Sequence, residues 1–142
     1  MNYLKISILL LLFSSCGGSG HIMFYDFKYS KFAVQNELNR VINEDSGFSV
    51  PNKWIDAYKV VNIESMFVYF KRDPEEMYEI GFTGDAAVWQ KSTTSRLALV
   101  YQFDGVRWRK ESELSGKEED RITKRFEDEI LSKIKYKYSI SY

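Results

Sequence analysis

The sequence predicts an α+β domain in which a mostly antiparallel sheet of four to six strands is flanked by an N-terminal and a C-terminal helix. Apolar residues recur at helical spacing in residues 30–43 and again in residues 115–134. The segments between these regions are rich in aromatic and β-branched residues or alternate at period two. Because a helix, a run of strands and a helix follow one another, we expect segregated α and β elements rather than an alternating parallel fold.

The first helix is predicted over residues 30–43. Ser30 is a suitable N-cap, and the Asp-Ser-Gly sequence at residues 45–47 is a stop signal. The apolar positions that share one face are Val34, Leu38, Val41 and Ile42. This spacing indicates an amphipathic helix with one side against the core.

Strands are predicted next. Residues 54–61 and 66–70 are rich in aromatic and β-branched side chains, and residues 76–82 place Tyr78, Ile80 and Phe82 on one face. The Arg-Asp-Pro-Glu sequence at residues 72–75 is typical of a turn, because proline presets the backbone. The simplest interpretation is that 66–70 and 76–82 are antiparallel strands joined by this turn. The pattern in residues 84–95 is weaker and suggests a further strand at 86–90 and a polar loop at 91–95.

The strongest local signal is a hairpin, in which Asp104-Gly105 joins residues 96–103 to residues 106–110. A two-residue Asp-Gly link between alternating apolar runs favours a tight turn. Pairing Phe103 with Val106 would place the following side chains on one buried face: Leu97, Leu99, Tyr101, Phe103, Val106 and Trp108. The opposite face would carry Gln102, Arg107 and Arg109, as an ordinary solvated surface or as a binding face.

A second helix closes the domain. Ser115 and Glu118 have the spacing of a capping box, and the apolar residues that repeat every fourth position are Ile122, Phe126, Ile130 and Ile134. Its charged residues include both signs, six acidic and seven basic between residues 117 and 137. This balance indicates a solvated face rather than a helix that recognises nucleic acid.

The C-terminal tail alternates, with Tyr136, Tyr138, Ile140 and Tyr142 separated by lysine and serine. Alternation predicts a final edge strand, and a frayed tail is the alternative. If the tail is ordered and its rings are uncovered, Tyr136, Tyr138 and Tyr142 are candidates for a partner site. Together with Arg107 and Arg109, they form the binding surface that the sequence suggests.

The first residues indicate where the protein works. Lys5 precedes an apolar run over residues 6–13, which is too short to span a bilayer, since a helix needs about 20 residues to do so. The run ends in Phe13-Ser14-Ser15-Cys16. This segment resembles a bacterial lipoprotein signal peptide. An ordinary cleaved signal peptide, with Cys16 as an incidental thiol, is the alternative.

The resemblance implies cleavage before Cys16 and lipid on its sulfur, which would hold the protein to a membrane of the cell envelope. Gly17 after the cysteine favours the outer membrane, with the protein facing the periplasm or the cell surface. The expected organisation is a signal peptide over residues 1–15, the lipidated cysteine and a flexible linker over residues 16–28, and one domain over residues 29–142.

Composition limits the partners. The mature 127 residues carry 19 basic and 20 acidic side chains, a balance without general attraction to nucleic acid. His21 is the single histidine and Cys16 the single cysteine. With His21 expected in the linker and Cys16 lipidated, neither a His/Cys metal site nor any other cofactor is expected.

Catalytic motifs are sparse. The one histidine is expected in the linker, and the glycines of Gly81-Phe82-Thr83-Gly84-Asp85 are too sparse for a phosphate loop. The sequence therefore favours a non-catalytic module that binds an envelope protein or a glycan, of which an immunity-type protein against an incoming toxin is one version. The alternative is a small hydrolase of cell-wall or imported glycans that uses a pair of carboxylates. The candidate acids are Asp56, Glu76, Glu79 and Asp85.

Overall fold

A computed structural model of the chain describes residues 20–58 and 64–141. The fold is α+β, as predicted, and its sheet is antiparallel throughout. The strands are β1 Met23–Phe27, β2 Met66–Phe70, β3 Glu76–Phe82, β4 Ser95–Phe103, β5 Trp108–Arg109 and β6 Tyr138–Ser141. Their order is β2-β3-β4-β1-β6, and β5 pairs with the far end of β4.

The helices of the described ranges are α1 Lys31–Glu44, α2 Ile55–Tyr58, α3 Ala86–Lys91 and α4 Gly116–Glu129. Short 3₁₀ turns lie at Ser46–Phe48, Asn52–Trp54, Glu111–Glu113 and Leu131–Lys133. The predicted caps are confirmed, because Ser30 accepts a hydrogen bond from the Ala33 amide and Ser115 forms a reciprocal capping box with Glu118. Of the helices described, none combines the length and the apolar character that a bilayer span requires.

The main core fills the inner face of the sheet, where α1 and α4 pack. Both predicted stripes contribute, with Val34 and Leu38 from α1 and Ile122 and Phe126 from α4, all buried. The sheet supplies rings to the same core, among them Tyr25, Phe27, Phe70 and Tyr78.

A second apolar cluster covers part of the outer face. It consists of Trp54, Tyr69, Met77 and Phe103. The Trp108 indole packs against it and donates a hydrogen bond to the Ala57 carbonyl of α2. Both faces of the sheet are therefore covered near β5, which explains the number of aromatic residues in the chain.

A bulge in β4 redirects its side chains. Ile80 pairs with Leu99 and Glu79 pairs with Tyr101, so that Val100 is the extra residue. Because one extra residue reverses the alternation, Leu99 faces the inner core whereas Phe103 belongs to the outer cluster. The prediction of one continuous apolar face from Leu97 to Trp108 was therefore wrong.

The hairpin after β4 is also longer than predicted. Phe103 pairs with Trp108 rather than Val106, and residues 104–107 form the turn. The Asp104 carboxylate accepts hydrogen bonds from the amides of Val106 and Arg107, which stabilises the four-residue turn. Val106 is consequently 86% exposed instead of buried.

Three further predictions are corrected. The segment that begins at Trp54 is helical, in the Asn52–Trp54 turn and α2, and residues 59–63 lie outside the described ranges. The strand predicted at 86–90 is α3, whose N-cap is Asp85. The linker predicted to reach residue 28 instead contains β1, which lies between β4 and β6.

The C-terminal segments are closer to prediction. Helix α4 ends at Glu129, and the Leu131–Lys133 turn carries the chain to Ile134, which is still buried. The tail forms β6 at the sheet edge, and the prediction of a final edge strand is confirmed.

Candidate functional site

A cavity of about 480 Å³ lies on the outer face of the sheet. Its floor is formed where Gly81 of β3 pairs with Ala98 of β4. Glycine has no side chain and alanine has only a methyl group, so space remains where larger residues would fill it. The other lining residues are His21, Glu64, Ser65, Glu79, Phe82, Thr83, Gly84, Trp89, Val100 and Tyr101.

One wall of the cavity is Trp89 of α3. Its indole nitrogen donates a hydrogen bond of 2.9 Å to the Thr83 carbonyl. This approach requires Gly84, because its φ is +108° and an added Cβ would lie 3.0 Å from the same nitrogen. The Lys31 ammonium lies 3.5 Å from the centroid of the indole ring and links the wall to α1. The wall is thus held from two elements.

The buried polar group of the cavity is Glu79, which is 3% exposed. Its Oε1 accepts a hydrogen bond from the Ser65 hydroxyl. Its Oε2 has no hydrogen-bond partner among the described residues. Burial raises the pKa of this carboxyl, and the hydrogen bond from Ser65 only partly opposes the effect. The protonated form of Glu79 is therefore favoured more than in water.

A smaller cavity of about 180 Å³ adjoins the same carboxyl. Glu79 and Tyr101 line both cavities, and Trp108, Lys110 and Glu113 complete the smaller one. Glu79 and Tyr101 are paired across β3 and β4. They therefore form the shared wall between two adjoining depressions.

Glu76, three residues earlier on β3, has the opposite environment. It is fully buried on the inner face and accepts hydrogen bonds from Arg121, at 2.6 and 2.9 Å, and from Arg125, at 2.9 Å. Tyr78 and Gln102 donate to it as well. Burial opposes ionisation, but these bonds outweigh it and the pKa of Glu76 is lowered. This cluster joins α4 to the sheet and leaves the carboxylate well partnered.

The binding surface suggested by the sequence is not assembled as one site. Arg109 is only 16% exposed in its side chain and donates to Gln102 and Glu118, so that Gln102 and Arg109 do not form a solvated face. Arg107 is exposed and pairs with Glu113 at 2.9 Å. Arg109 is in β5 and Arg107 precedes it, at the opposite end of β4 from the residues that pair with β1, and β6 lies beyond β1.

The two tail tyrosines that the structure describes, Tyr136 and Tyr138, are engaged within the domain. Tyr136 stacks on Tyr29, with ring centroids 4.1 Å apart. Tyr138 packs edge-on against Tyr25 at 5.4 Å and is half-buried. Cys16 and Tyr142 lie outside the described residues. The rings of Tyr136 and Tyr138 thus have structural partners.

The other candidate acids are dispersed. Asp85 accepts a hydrogen bond from the Val88 amide as the N-cap of α3, and Asp56 lies on α2. In residues 20–58 and 64–141, no three His, Cys, Asp or Glu side chains cluster closely enough to hold a metal ion. Of the four acids considered from the sequence, only Glu79 combines burial, an unpartnered oxygen and a cavity.

Sequence reasoning missed the cavity itself. Its lining includes the Gly81–Gly84 segment, whose two glycines were noted in the sequence but interpreted as too sparse for a phosphate loop. Its lining also includes His21, which packs against Phe24 at 4.8 Å instead of lying in a solvated linker. The pairing of Gly81 with Ala98 could not be read from either segment alone.

Glu79→Gln is expected to stabilise the fold at neutral and alkaline pH. The folded-state pKa of Glu79 lies above its unfolded value, so ionisation penalises the folded state as pH rises through the folded pKa. Glutamine has the same shape and does not ionise, and its advantage should disappear in acid. Urea unfolding between pH 4 and pH 9 measures the difference.

Asp120 is exposed, and Asp120→Asn is the control for this pH series. It should leave the dependence of the free energy of unfolding on pH nearly unchanged. A Glu79→Gln curve parallel to wild type would contradict the assignment. The other ionisable groups around the two cavities are His21, Glu64, Tyr101, Lys110 and Glu113, and both variants retain them.

Comparison of the chain with protein-family models, with curated proteins and with solved structures finds no match, so the site is interpreted from its own geometry.

Proposed function

We propose that the protein is a lipid-anchored component of the bacterial cell envelope that acts as a non-catalytic binding module through the cavity beside Glu79. The observation that carries this proposal is the cavity of about 480 Å³, which has aromatic walls and one buried carboxyl. Its size falls in the range of small-molecule sites, and such sites combine apolar walls with a few polar groups. The occupant is a group presented by an envelope protein, such as a toxin, or by a glycan.

The separation of Glu76 from Glu79 argues against these two acids as a hydrolytic pair. Glu76 and Glu79 lie on opposite faces of β3, since side chains alternate along a strand. Glu76 is held by two arginines under α4. The two acids therefore do not flank one cleft, as a pair in a glycosidase would.

The proposed anchor brings the cavity near the membrane. His21, which lines the cavity, follows Cys16 by five residues. Five extended residues reach at most about 18 Å. A lipid on Cys16 would therefore keep the cavity close to the bilayer surface, with the outer membrane favoured by Gly17.

Cys16→Ala should release the protein from the membrane fraction or leave it unprocessed. Two or more acyl chains give stable anchorage, and without the thiol no diacylglyceryl group can be attached. Fractionation of cells, followed by mass measurement of the N-terminal peptide, tests this expectation. Ser19→Ala, three residues later in the sequence, is the matched control and should remain in the membrane. A lipidated Cys16→Ala protein would refute the anchor.

Gly81→Leu should weaken ligand binding at least tenfold without unfolding the domain. A Cβ at Gly81 meets no atom within 4 Å, and the leucine side chain would extend into the cavity. Wild type and variant, both full-length, are immobilised and exposed to envelope and culture extracts. Retained molecules are identified by mass spectrometry.

Gly116→Leu is the control, because its Cβ also meets nothing within 4 Å and it lies outside the cavity at the start of α4. A ligand retained by wild type and Gly116→Leu but lost from Gly81→Leu would support the proposal. Equal retention of the ligand by all three proteins would mean that the binding surface lies outside this cavity.

One observation favours the hydrolase as a second candidate. Glu64 lines the same cavity as Glu79, whose raised pKa suits a proton donor. Release of new reducing ends from cell-wall polysaccharide by wild type, abolished in Glu79→Gln, would establish this reaction. Glutamine preserves the shape and the hydrogen-bonding capacity of a protonated carboxyl, so loss of turnover would point to proton transfer.

A further inference from the structure

The lining of the Glu79 cavity favours one class of charge. Its acidic members are Glu64 and Glu79, and among the described lining residues there is neither lysine nor arginine. His21 is the one basic residue type present. A phosphate or carboxylate group would meet two glutamates without a permanent cation to balance them. The cavity therefore disfavours anions.

Glu79 differs from the other buried glutamates in having no cationic partner in the part of the chain that the structure describes. Among the described residues the buried acids are Glu37, Glu76 and Glu79. Glu37 pairs with Arg40 at 3.0 Å, and Glu76 pairs with Arg121 and Arg125. Buried carboxylates generally require such partners. Glu79 has the Ser65 hydroxyl alone among the described groups, and its Oε2 is unpartnered.

The aromatic walls suit the same chemistry. Phe82, Trp89 and Tyr101 line the cavity. The faces of aromatic rings attract ammonium groups, most strongly for tryptophan. The Lys31 ammonium already lies 3.5 Å from the ring centroid of Trp89, although Lys31 is not among the lining residues, so Phe82 and Tyr101 supply the remaining rings for a ligand. A carboxylate, aromatic rings and a lining without lysine or arginine among its described residues together indicate a receptor for a compact organic cation.

We propose that this cavity binds an aliphatic ammonium group, which pairs with the unpartnered oxygen of Glu79 and lies against the aromatic wall. The assignment rests on the proposed binding function and names the chemistry of its ligand. The ammonium group belongs either to a free amine or to a lysine side chain of a partner protein. Both sources present the same charged group to the cavity.

Such binding should be coupled to proton release. Because burial raises the pKa of Glu79, the cation has to displace a proton from the fraction of molecules in which this carboxyl is protonated. Affinity should therefore increase as pH rises through the ionisation of Glu79. The charged and titratable neighbours that face this group are His21, Glu64 and Tyr101 in the larger cavity and Lys110 and Glu113 in the smaller one.

Isothermal titration calorimetry on the full-length protein tests the proposal with three probes. Ethanolamine hydrochloride represents a free amine, Nα-acetyl-lysine methylamide represents a lysine side chain, and ethylene glycol is the neutral control. At least one amine should bind tenfold or more tightly than the glycol, and the heats should differ between buffers of different ionisation enthalpy because a proton is released. The tighter of the two amines identifies the source of the group.

Two glutamate variants distinguish the site. Glu79→Gln should weaken amine binding at least tenfold, whereas Glu37→Gln, which removes a buried glutamate that pairs with Arg40 on α1, should leave it unchanged. Equal affinity for glycol and amines, no heat with either amine, or unchanged binding by Glu79→Gln would overturn the ammonium assignment. If extract ligands are still lost from Gly81→Leu in any of these cases, the binding function stands and only the chemistry of its ligand is wrong.

Discussion

Replacing Glu76 with alanine is expected to lower the free energy of unfolding by about 3–5 kcal/mol, the usual cost of removing one member of a buried ion pair. The carboxylate has no solvent exposure and is bonded by Arg121 and Arg125 of α4. Arg125 is itself 9% exposed in its side chain. Without Glu76, this guanidinium remains buried with less compensation, and the hydroxyl of Tyr78 and the amide of Gln102 lose an acceptor.

Urea denaturation of the wild-type protein and of Glu76→Ala measures the loss in the free energy of unfolding. Glu44→Ala is the control, because Glu44 also pairs with an arginine, Arg40 at 2.8 Å, but is 63% exposed in its side chain. Exposed pairs contribute about 0–1 kcal/mol. Similar small losses in both variants would mean that the arginines find other partners and that Glu76 does not hold α4 to the sheet.

Phe126→Ala is expected to be equally severe, with a loss of about 3–5 kcal/mol in the free energy of unfolding. Phe126 is fully buried at the centre of the apolar stripe of α4, and its ring centroid lies 5.6 Å from that of Tyr25 on β1. Truncation removes apolar area and leaves a cavity between the helix and the sheet. Thermal or urea unfolding, monitored by circular dichroism, provides the measurement.

Val106→Ala is the control for this truncation, since Val106 is 86% exposed in the turn after β4. Surface substitutions of this kind usually change stability by less than about 0.5 kcal/mol. A large loss of stability in Val106→Ala would mean that Val106 is buried, as the two-residue hairpin predicted from the sequence requires. A small effect at Phe126 would contradict the packing of α4 on the inner face.

Elements with complete local signals were predictable. The Ser30 cap and the capping box at Ser115 mark the starts of α1 and α4 because a side chain bonds to an amide within three residues. The antiparallel pairing of β2 with β3 follows from two apolar strands joined by a short turn. In each case the physical cause lies within a few residues of the element.

Elements that depend on distant partners were not predictable. The bulge at Val100 arises in the pairing of β4 with β3, which reverses the face of every later residue in β4. The hairpin is an exception, because its cause is local: the Asp104 carboxylate accepts hydrogen bonds from amides two and three residues later and stabilises a longer turn than the Asp-Gly pair suggested. Strand β1 was missed because its five residues follow closely on a glycine-rich segment and were interpreted as part of the linker.

The candidate site could be predicted only in part from the sequence. Glu79 was among the acids considered, but its environment depends on the strand that lies beside it. The cavity exists because Gly81 meets Ala98, a residue 17 positions later, and because α3 places Trp89 over the space. Since the segment of Trp89 was interpreted as a strand, the sequence could not reveal that wall.

The position of β1 has a mechanical consequence for a protein held at its N-terminus. This strand pairs with β4 along its whole length and with β6 along most of it. Hydrogen bonds in antiparallel pairs are perpendicular to the strands, so a pull along β1 loads both ladders in shear and strains many bonds together. An edge strand pulled away sideways would instead lose its bonds one after another. If the proposed lipid anchor holds the N-terminus, a force applied there would therefore be resisted by two strand pairs together before the domain unfolds.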